Sequence, residues 1–355
     1  LIARMPAGVR NEGEYDAAGF EREVARIVRG WHDELQHNLV EHCGEARGNE
    51  LLRRYATALP IAYQDQVPPS SAVSDLECLA AAEKSGRVEV KLNAPYGDDG
   101  SHQHIKLFLS GKPRPLSTVL PVLENLGITV LSEQPFKLSE GTLHIADFAV
   151  QLPRADALDA EPTRKGFVDL LEKLLREEAE NDGFNRLALL AGLDNSRITI
   201  LRAYGHYLRQ AGLPFSLVYI ERCLASHPLI AGLLVDLFVA RLSPEGNDEQ
   251  AANISKKLDA ELAQVSNIDD DRILNGFRTT IDATLRTNAW QNGADGKAKA
   301  YLSFKISSKQ LPFLPKPVPL YEIFVYSMRM EGIHLRGSTV ARGGLRWSDR
   351  KEDFR

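Results

Sequence analysis

The chain has 355 residues, 43% of them apolar and 26% charged, a composition that excludes a disordered polypeptide and provides enough apolar side chains for about two or three cores. Its formal net charge of -5 gives no overall positive field, so nucleic acid is disfavoured as a main partner. The three cysteines, Cys43, Cys78 and Cys223, lie far apart, which favours a reducing compartment over a disulfide framework. The sequence has no signal-peptide pattern and no run of about 18 apolar residues. It therefore predicts a cytoplasmic protein without a membrane span.

Apolar residues recur at helical spacing in the first part of the chain. Ile27, Trp31 and Leu35 fall on one stripe and predict an amphipathic helix. The stretch "QDQVPPSSAVSD" then carries a proline pair among small polar residues, which predicts a linker followed by a short helix with Ser74 as its N-cap. A helical segment and linker over residues 1–68 are therefore the first predicted part of the chain.

The next segment alternates polar and apolar residues, as half-buried strands do. "RVEVKLNAPY" and "HQHIKLFLSG" predict a hairpin closed by "GDDGS", "RPLSTVLPVLENLG" predicts a helix that stops at Gly127, and "ITVLSEQPFKL" and "TLHIADFAVQL" predict two more strands. This order predicts a small α+β sandwich over residues 69–160. Centred on "LENLGITVLSEQPFKL", the segment resembles the ACT-like regulatory domains that bind amino acids or dimerise. An α+β spacer without a ligand is an equal alternative.

Helical periodicity dominates from residue 161 to residue 292. "GFVDLLEKLLREEAE" places Phe167, Leu170 and Leu174 on one stripe, and "SLVYIERCLASHP" and "LIAGLLVDLFVARL" are apolar enough to be buried on several sides. The segment is predicted to be an all-helical domain with short loops.

A third domain is predicted over residues 293–355. After the loop "WQNGADGKAKA", strand periodicity returns in "YLSFKISS" and in "YEIFVYSMRMEGIHLRG", separated by the proline-rich "LPFLPKPVP". The predicted fold class is therefore α+β and multidomain: an ACT-like α/β sandwich, an all-helical domain and an incomplete mixed α/β segment at the C-terminus. The first residue, Leu1, and the charged end at Arg355 predict a piece of a longer polypeptide.

Two acidic residues and two histidines lie close together in "DDGSHQH", at Asp98, Asp99, His102 and His104. Histidines two apart on a strand share a face and, with a carboxylate, suit a metal ion. Because the same residues are common in hairpin turns, a solvated loop is the favoured interpretation, and no metal site is predicted.

Two other patterns have structural interpretations that we favour. "LALLAGLDNSRITILRAYGHYLRQAG" has the outline of a helix-turn-helix DNA reader, but Ile198, Leu201 and Tyr204 fall at core spacing. "NIDDD" resembles half a calcium loop and is more typical of a helix N-terminus. The phosphate-binding glycine motifs do not occur, so no cofactor-binding residue is predicted within the chain.

The stretch "VARGGLRW" combines open backbone with two guanidinium groups. Gly343 and Gly344 let a ligand approach the main chain, and Arg342 and Arg346 flank them with donors that suit carboxylates. These four residues are the predicted binding site for an anionic substrate. A glycine bulge with arginines in solvent is equally consistent with the spacing.

The string "GIHLRGSTVARGGLRWSDRKEDFR" resembles the opening of the catalytic region of the large bacterial NAD-specific glutamate dehydrogenases. The stretch "RAYGHYLRQAGLPFSLVYIERCLASHPLIAGLLVDLF" and the ACT-like unit are similar to regions that precede it in those enzymes, so the resemblance runs from about residue 87 onward. Smaller glutamate dehydrogenases have K-G-G-x-R here, with a lysine that contributes to binding the substrate carboxylate. Arg342 stands at the lysine position, and its reach and geometry differ from those of lysine.

The resemblance implies that the whole enzyme converts L-glutamate, NAD and water to 2-oxoglutarate, ammonia and NADH. It implies substrate contacts at Arg342, Gly343, Gly344 and Arg346, no catalytic residue within the chain, and NAD bound by the portion beyond Arg355. The chain itself is then expected to be inactive, to assemble as a homo-oligomer and to sense an amino-acid effector. The alternative is a free-standing amino-acid-binding or protein-interaction module without enzymatic activity.

Overall fold

The computed structural model of the chain describes residues 30–93, 102–138 and 142–337. These residues form helices and two four-stranded sheets, which confirms the predicted α+β fold class. Contacts group the chain into two compact units. The first comprises Leu1–Glu89, Leu107–Lys112 and Pro135–Ala146, and the second comprises Val90–Lys106, Pro113–Gln134 and Asp147–Arg355.

In the described part of the chain, four α-helices precede the first sheet: α1 (Trp31–Cys43), α2 (Glu45–Tyr55), α3 (Ile61–Gln66) and α4 (Pro69–Ser85). The predicted apolar stripe is confirmed for its part on α1, where Leu35 is buried and the Trp31 indole donates a 2.9 Å hydrogen bond to the carbonyl of Val67; Ile27 lies outside the described residues. The chain turns between α1 and α2 at Gly44, which has a φ of 80°, a value that glycine adopts without strain.

The linker predicted from "QDQVPPSSAVSD" is wrong, because both of its halves belong to helices. Pro68 occupies the N-cap of α4 and Pro69 its first turn, where a missing backbone N–H costs nothing. Ser74 is therefore not an N-cap: it lies inside α4, and its hydroxyl donates to the carbonyl of Ser71 at 3.2 Å.

The first sheet contains β1 (Glu89–Asn93), β2 (Gln103–Ser110), β3 (Thr129–Lys137) and β4 (Leu143–Gln151), in the order β1-β2-β4-β3. All four strands were predicted, and β1 lies beside β2 as the predicted hairpin requires; the loop "GDDGS" lies outside the described residues. Between β2 and β3 runs α5 (Leu116–Asn125), whose buried residues include Val119 and Leu123. The chain leaves it through Gly127, with a φ of 80°.

Seven helices follow within the described residues, as predicted: α6 (Glu161–Leu175), α7 (Leu187–Leu190), α8 (Asn195–Gln210), α9 (Leu217–Ser226), α10 (Pro228–Leu242), α11 (Asp248–Leu262) and α12 (Ile268–Ala283). Asp194 caps α8 by accepting from the backbone N–H of Arg197, and Asn267 caps α12, which confirms the helix N-terminus predicted from "NIDDD". Ile198, Leu201 and Tyr204 of α8 are buried, so core packing, and not a DNA-reading face, explains their spacing.

The second sheet is antiparallel, in the order β5-β6-β7-β8. Its strands are β5 (Thr284–Thr287), β6 (Leu302–Ile306), β7 (Tyr321–Ser327) and β8 (Met330–Arg336). The prediction of helix from residue 161 to residue 292 is wrong for β5, where Thr284 and Thr287 are β-branched and pair with β6. The stretch "YEIFVYSMRMEGIHLRG" does not form one continuous strand. It forms a hairpin of β7 and β8, with its turn at Met328 and Arg329.

Within the described residues no single helix is long and apolar enough to cross a bilayer. The pair α9 and α10 meets the length and composition required for a span only when taken together, and it bends by 100° at the break.

Gly48 allows α1 and α2 to pack closely, since a Cβ at this position would lie 2.8 Å from the backbone carbonyl of Leu39. Gly48→Ala is therefore expected to lower the free energy of unfolding by about 2 kcal/mol. The control is Gly232→Ala on α10, where a Cβ meets nothing within 4 Å; it is expected to raise stability by about 0.5 kcal/mol. Urea denaturation of the two variants checks both values, and equal effects would contradict the packing argument.

Candidate functional site

The site predicted from "VARGGLRW" lies outside the described residues. Arg342, Gly343, Gly344 and Arg346 therefore remain a prediction. The described chain reaches Gly337, directly after β8. What the structure does describe is the β7–β8 hairpin that leads to this segment, and the side chains that hold the hairpin in place.

One face of the β7–β8 hairpin carries acidic and aromatic residues together. Along β7, Glu322, Phe324 and Tyr326 are buried, whereas the residues between them are only partly buried. Across the antiparallel register, Glu322 pairs with Leu335 and Tyr326 pairs with Glu331. Two carboxylates thus lie near opposite ends of the buried face. Carboxylates removed from water need hydrogen-bond donors or opposite charges.

Helix α8 supplies a donor to the carboxylate at the first end. The Tyr207 hydroxyl donates a 2.6 Å hydrogen bond to Glu322 Oε2, and neither side chain has measurable solvent exposure. The Tyr207 ring also packs edge-to-face against Phe324, with 5.5 Å between the ring centroids. The contact therefore combines a short hydrogen bond with apolar burial.

The same helix holds the carboxylate near the hairpin turn. His206 Nδ1 lies 2.6 Å from Glu331 Oε2 and Gln210 Nε2 donates to Glu331 Oε1 at 2.7 Å. Because a carboxylate only accepts, His206 carries its proton on Nδ1 in this contact. Burial by itself raises the pKa of Glu331, but the hydrogen bonds from His206 and Gln210 outweigh it and lower that pKa below its usual value. The His206 ring also lies 5.0 Å from the ring of Tyr326.

A buried arginine of α8 holds the segment of residues 180–185, which contacts Tyr326 of the hairpin. Arg202 of α8 is 1% exposed. Its guanidinium donates two hydrogen bonds to Asp182, of 2.6 Å and 2.9 Å, and its Nη2 also donates to Asn185 Oδ1 at 2.7 Å. The neighbouring Glu180 accepts a hydrogen bond from the Tyr326 hydroxyl. Burial and this carboxylate raise the pKa of Tyr326, so the phenol stays protonated and keeps donating.

These contacts hold the hairpin; they do not form a reaction centre. Glu322 is inaccessible to solvent, and both oxygens of Glu331 already accept hydrogen bonds. Two surface depressions on the described residues, of about 350 Å³ and 340 Å³, each lie along a single helix, α6 and α11. Neither depression touches the hairpin.

The solvated-loop interpretation of "DDGSHQH" is wrong for His104. His104 lies in β2, its side chain is 16% exposed, and its Nδ1 is 2.9 Å from Asp147 Oδ1 on β4. Lys106, two residues further along β2, is fully buried with its Nζ 3.9 Å from Asp147 Oδ2. His104 and Lys106 therefore lie in a sheet, on either side of the Asp147 carboxylate, and not in a turn. Asp98 and Asp99 lie outside the described residues, among which no group of three metal-ligating side chains occurs.

The acidic residues that hold the hairpin were not identified from the sequence. One signal for Glu322 was present, because "YEIFVY" places this glutamate in phase with Phe324 and Tyr326, and a strand buries residues two apart on the same face. Glu180 and Asp182 gave no such signal, since they lie in the irregular segment before a 3₁₀ turn at Gly183–Arg186.

Four family models match successive parts of the chain. They are glutamate dehydrogenase helical motif 2 at residues 38–82, the glutamate dehydrogenase ACT3 domain at 87–163, helical motif 3 at 179–244, and the bacterial NAD-glutamate dehydrogenase catalytic domain at 257–355. Helix α8 thus falls in the helical-motif match, and the hairpin falls in the catalytic-domain match.

Similar curated proteins carry the name NAD-specific glutamate dehydrogenase. The chain is 40% identical to the protein of Pseudomonas aeruginosa over 351 residues, covering 96% of the chain and 22% of that protein. It is 38% identical to the protein of Halomonas elongata over 366 residues and 37% identical to that of Mycobacterium tuberculosis over 380 residues, each covering 100% of the chain. The chain spans 22–23% of the length of these relatives.

Replacing Arg202 with methionine would leave Asp182 without its buried counter-charge. Arg202→Met is therefore expected to lower the free energy of unfolding by about 3 kcal/mol or more. The matched control is Arg197→Met on the same helix, whose partner Asp236 lies 3.4 Å away and whose side chain is 42% exposed; its expected cost is below about 1 kcal/mol. Chemical denaturation measures both, and similar losses would refute the assigned role of burial.

The lowered pKa of Glu331 predicts a pH dependence of stability. A carboxyl with a depressed pKa in the folded state stabilises the fold above its unfolded pKa, near 4.5, and loses that contribution as the pH falls through the folded value. Glu331→Gln is therefore expected to flatten the decline in unfolding free energy below about pH 4.5. Denaturation curves between neutral and acidic pH test this, and parallel curves for both proteins would be inconsistent with it.

Proposed function

From the premise that this chain belongs to the bacterial NAD-specific glutamate dehydrogenase family, we propose that it serves the NAD-dependent oxidation of L-glutamate to 2-oxoglutarate and ammonia. The observation that carries the proposal is the match of residues 257–355 to the family's catalytic domain, since this part includes the hairpin and the segment with Arg342. The chain contributes part of such an enzyme, so the reaction is proposed for the whole protein.

The proposed role of the chain in the reaction is to hold the substrate. Glutamate carries carboxylates, and the guanidinium groups of Arg342 and Arg346 can each bind one through paired hydrogen bonds. Gly343 and Gly344 between them leave room for the ligand to approach the backbone. The reaction removes a hydride from the α-carbon and hydrolyses the resulting imine with water. Residues outside this chain are proposed to perform those steps.

The second sheet does not have the strand arrangement of the common NAD sites. Dinucleotide sites of the common kind join a parallel strand to a helix through a glycine-rich turn, whereas the strands of the second sheet are antiparallel. We therefore assign NAD to the part of the protein beyond Arg355. We also propose that the ACT-like part at residues 87–163 serves assembly into a homo-oligomer or binds an amino-acid effector. Domain boundaries at residues 68, 160 and 292 remain predictions from the sequence.

Glutamate-dependent NAD reduction by the full-length protein tests the proposed function. Arg342→Ala is expected to raise the KM for glutamate at least about tenfold with little change in kcat, because it removes a contact made equally in the ground and transition states. The control is Arg329→Ala, an exposed arginine in the turn of the same hairpin, which should leave both constants unchanged.

The 355-residue chain alone is expected to reduce no NAD above the blank. Absence of glutamate oxidation in the folded full-length protein would instead support the free-standing amino-acid-binding or protein-interaction module.

A further inference from the structure

We propose that the outer face of the second sheet, the face opposite α8, binds an acidic amphipathic segment of the same protein that lies outside this chain. The inference goes beyond the proposed function and rests on it in one respect, that the 355-residue chain is part of a larger enzyme. The side chains of the outer face that carry the argument are Lys305, Tyr321, Ile323, Val325, Met330 and His334.

The strand register assigns the side chains of the sheet to two faces. Phe324 lies on the inner face, because its ring contacts the ring of Tyr207 on α8. Successive side chains of a strand point to opposite faces, so the neighbouring Ile323 lies on the outer face. Directly opposed residues of paired strands share a face, and Ile323 is opposed by Lys305 on β6 and by His334 on β8. These three residues therefore lie side by side.

Strand β7 is apolar on both of its faces. Its inner side chains are buried, whereas Tyr321, Ile323 and Val325 on the outer face are only partly buried. An antiparallel sheet with one face in water alternates apolar and polar residues, and a strand that is covered on both faces is apolar throughout. Met330 lies on the same outer face and is 53% exposed. The outer face thus combines the composition of a covered face with the exposure of a partly open one.

The charged residues of the four strands are separated by sign. The acidic residues Glu322 and Glu331 lie on the inner face, where α8 donates hydrogen bonds to them. All of the basic residues in these strands lie on the outer face: Arg286, Lys305, His334 and Arg336. An apolar surface with basic groups is complementary to a segment that carries carboxylates beside an apolar stripe.

Length and charge together identify the source of this segment. The chain spans 22–23% of the length of its curated relatives, so most of a protein of that size lies outside it. A second copy that presented the same outer face would place basic residues opposite basic residues, which is unfavourable. A segment of the same protein from outside the chain is therefore the favoured occupant.

Methionine oxidation of the full-length protein tests whether the outer face is covered. Met328 in the hairpin turn is 47% exposed and Met330 is 53% exposed, so in an uncovered hairpin hydrogen peroxide would oxidise both at similar rates. We expect Met330 to be oxidised at least about tenfold more slowly than Met328 in the native protein, and at an equal rate in the denatured protein. Equal rates in the native protein would overturn the proposal.

Reversing a charge on the outer face tests the acidic character of the segment. In full-length Lys305→Glu, repulsion should release the segment and bring the oxidation rate of Met330 to within about twofold of that of Met328. The matched control is Lys297→Glu, at an exposed lysine in the loop between β5 and β6, which should leave Met330 protected. If Lys305→Glu does not fold, Arg286→Glu on the same face takes its place. Full protection of Met330 in the folded variant would contradict the charge argument.

Zero-length cross-linking with a carbodiimide identifies the occupant. In the full-length protein, Lys305 should form an amide with an aspartate or glutamate from outside residues 1–355, and Lys305→Arg should abolish it. An amide to a carboxylate within residues 1–355, or no amide at Lys305, would overturn the proposal, the first in favour of a second copy. Neither readout depends on glutamate oxidation, so loss of that activity would refute the proposed function without deciding this inference.

Discussion

The burial of carboxylates between one helix and one hairpin is the constraint on which this part of the molecule depends. Glu322 is fully buried and accepts a hydrogen bond from Tyr207, and the less buried Glu331 accepts hydrogen bonds from His206 and Gln210. Removing one partner from such a contact costs more than the contact itself contributes. The register of β7 against α8 is therefore tightly specified, although much of the favourable energy comes from the apolar and aromatic packing around it.

This arrangement links two parts of the chain that match different family models. Helix α8 and Arg202 belong to the helical-motif match, whereas Glu322, Tyr326 and Glu331 belong to the catalytic-domain match. The contacts between them are short hydrogen bonds that carboxylates accept, and for that reason they are directional as well as cohesive.

Much of the fold could be predicted from the sequence, because periodicity reports which side chains face a core. The buried stripe on α6 and the strands of the first sheet are such cases. The predictions failed where one local sequence pattern is compatible with two different structures. Prolines at 68 and 69 looked like a linker but begin α4, and His104 looked like a turn residue but pairs with Asp147 inside a sheet. The contact of Glu322 with Tyr207 joins positions 115 residues apart, and no local pattern encodes such a separation.

Native-state hydrogen exchange of the chain tests most directly whether α8 and the β7–β8 hairpin form one cooperative body. Amides of β7, such as that of Phe324, and amides in the buried part of α8, such as that of Tyr204, would be compared under increasing denaturant. The account predicts that both sets open with the same free energy and the same denaturant dependence, because the buried contacts break together. Exchange of the hairpin at much lower free energy, with α8 still protected, would contradict it.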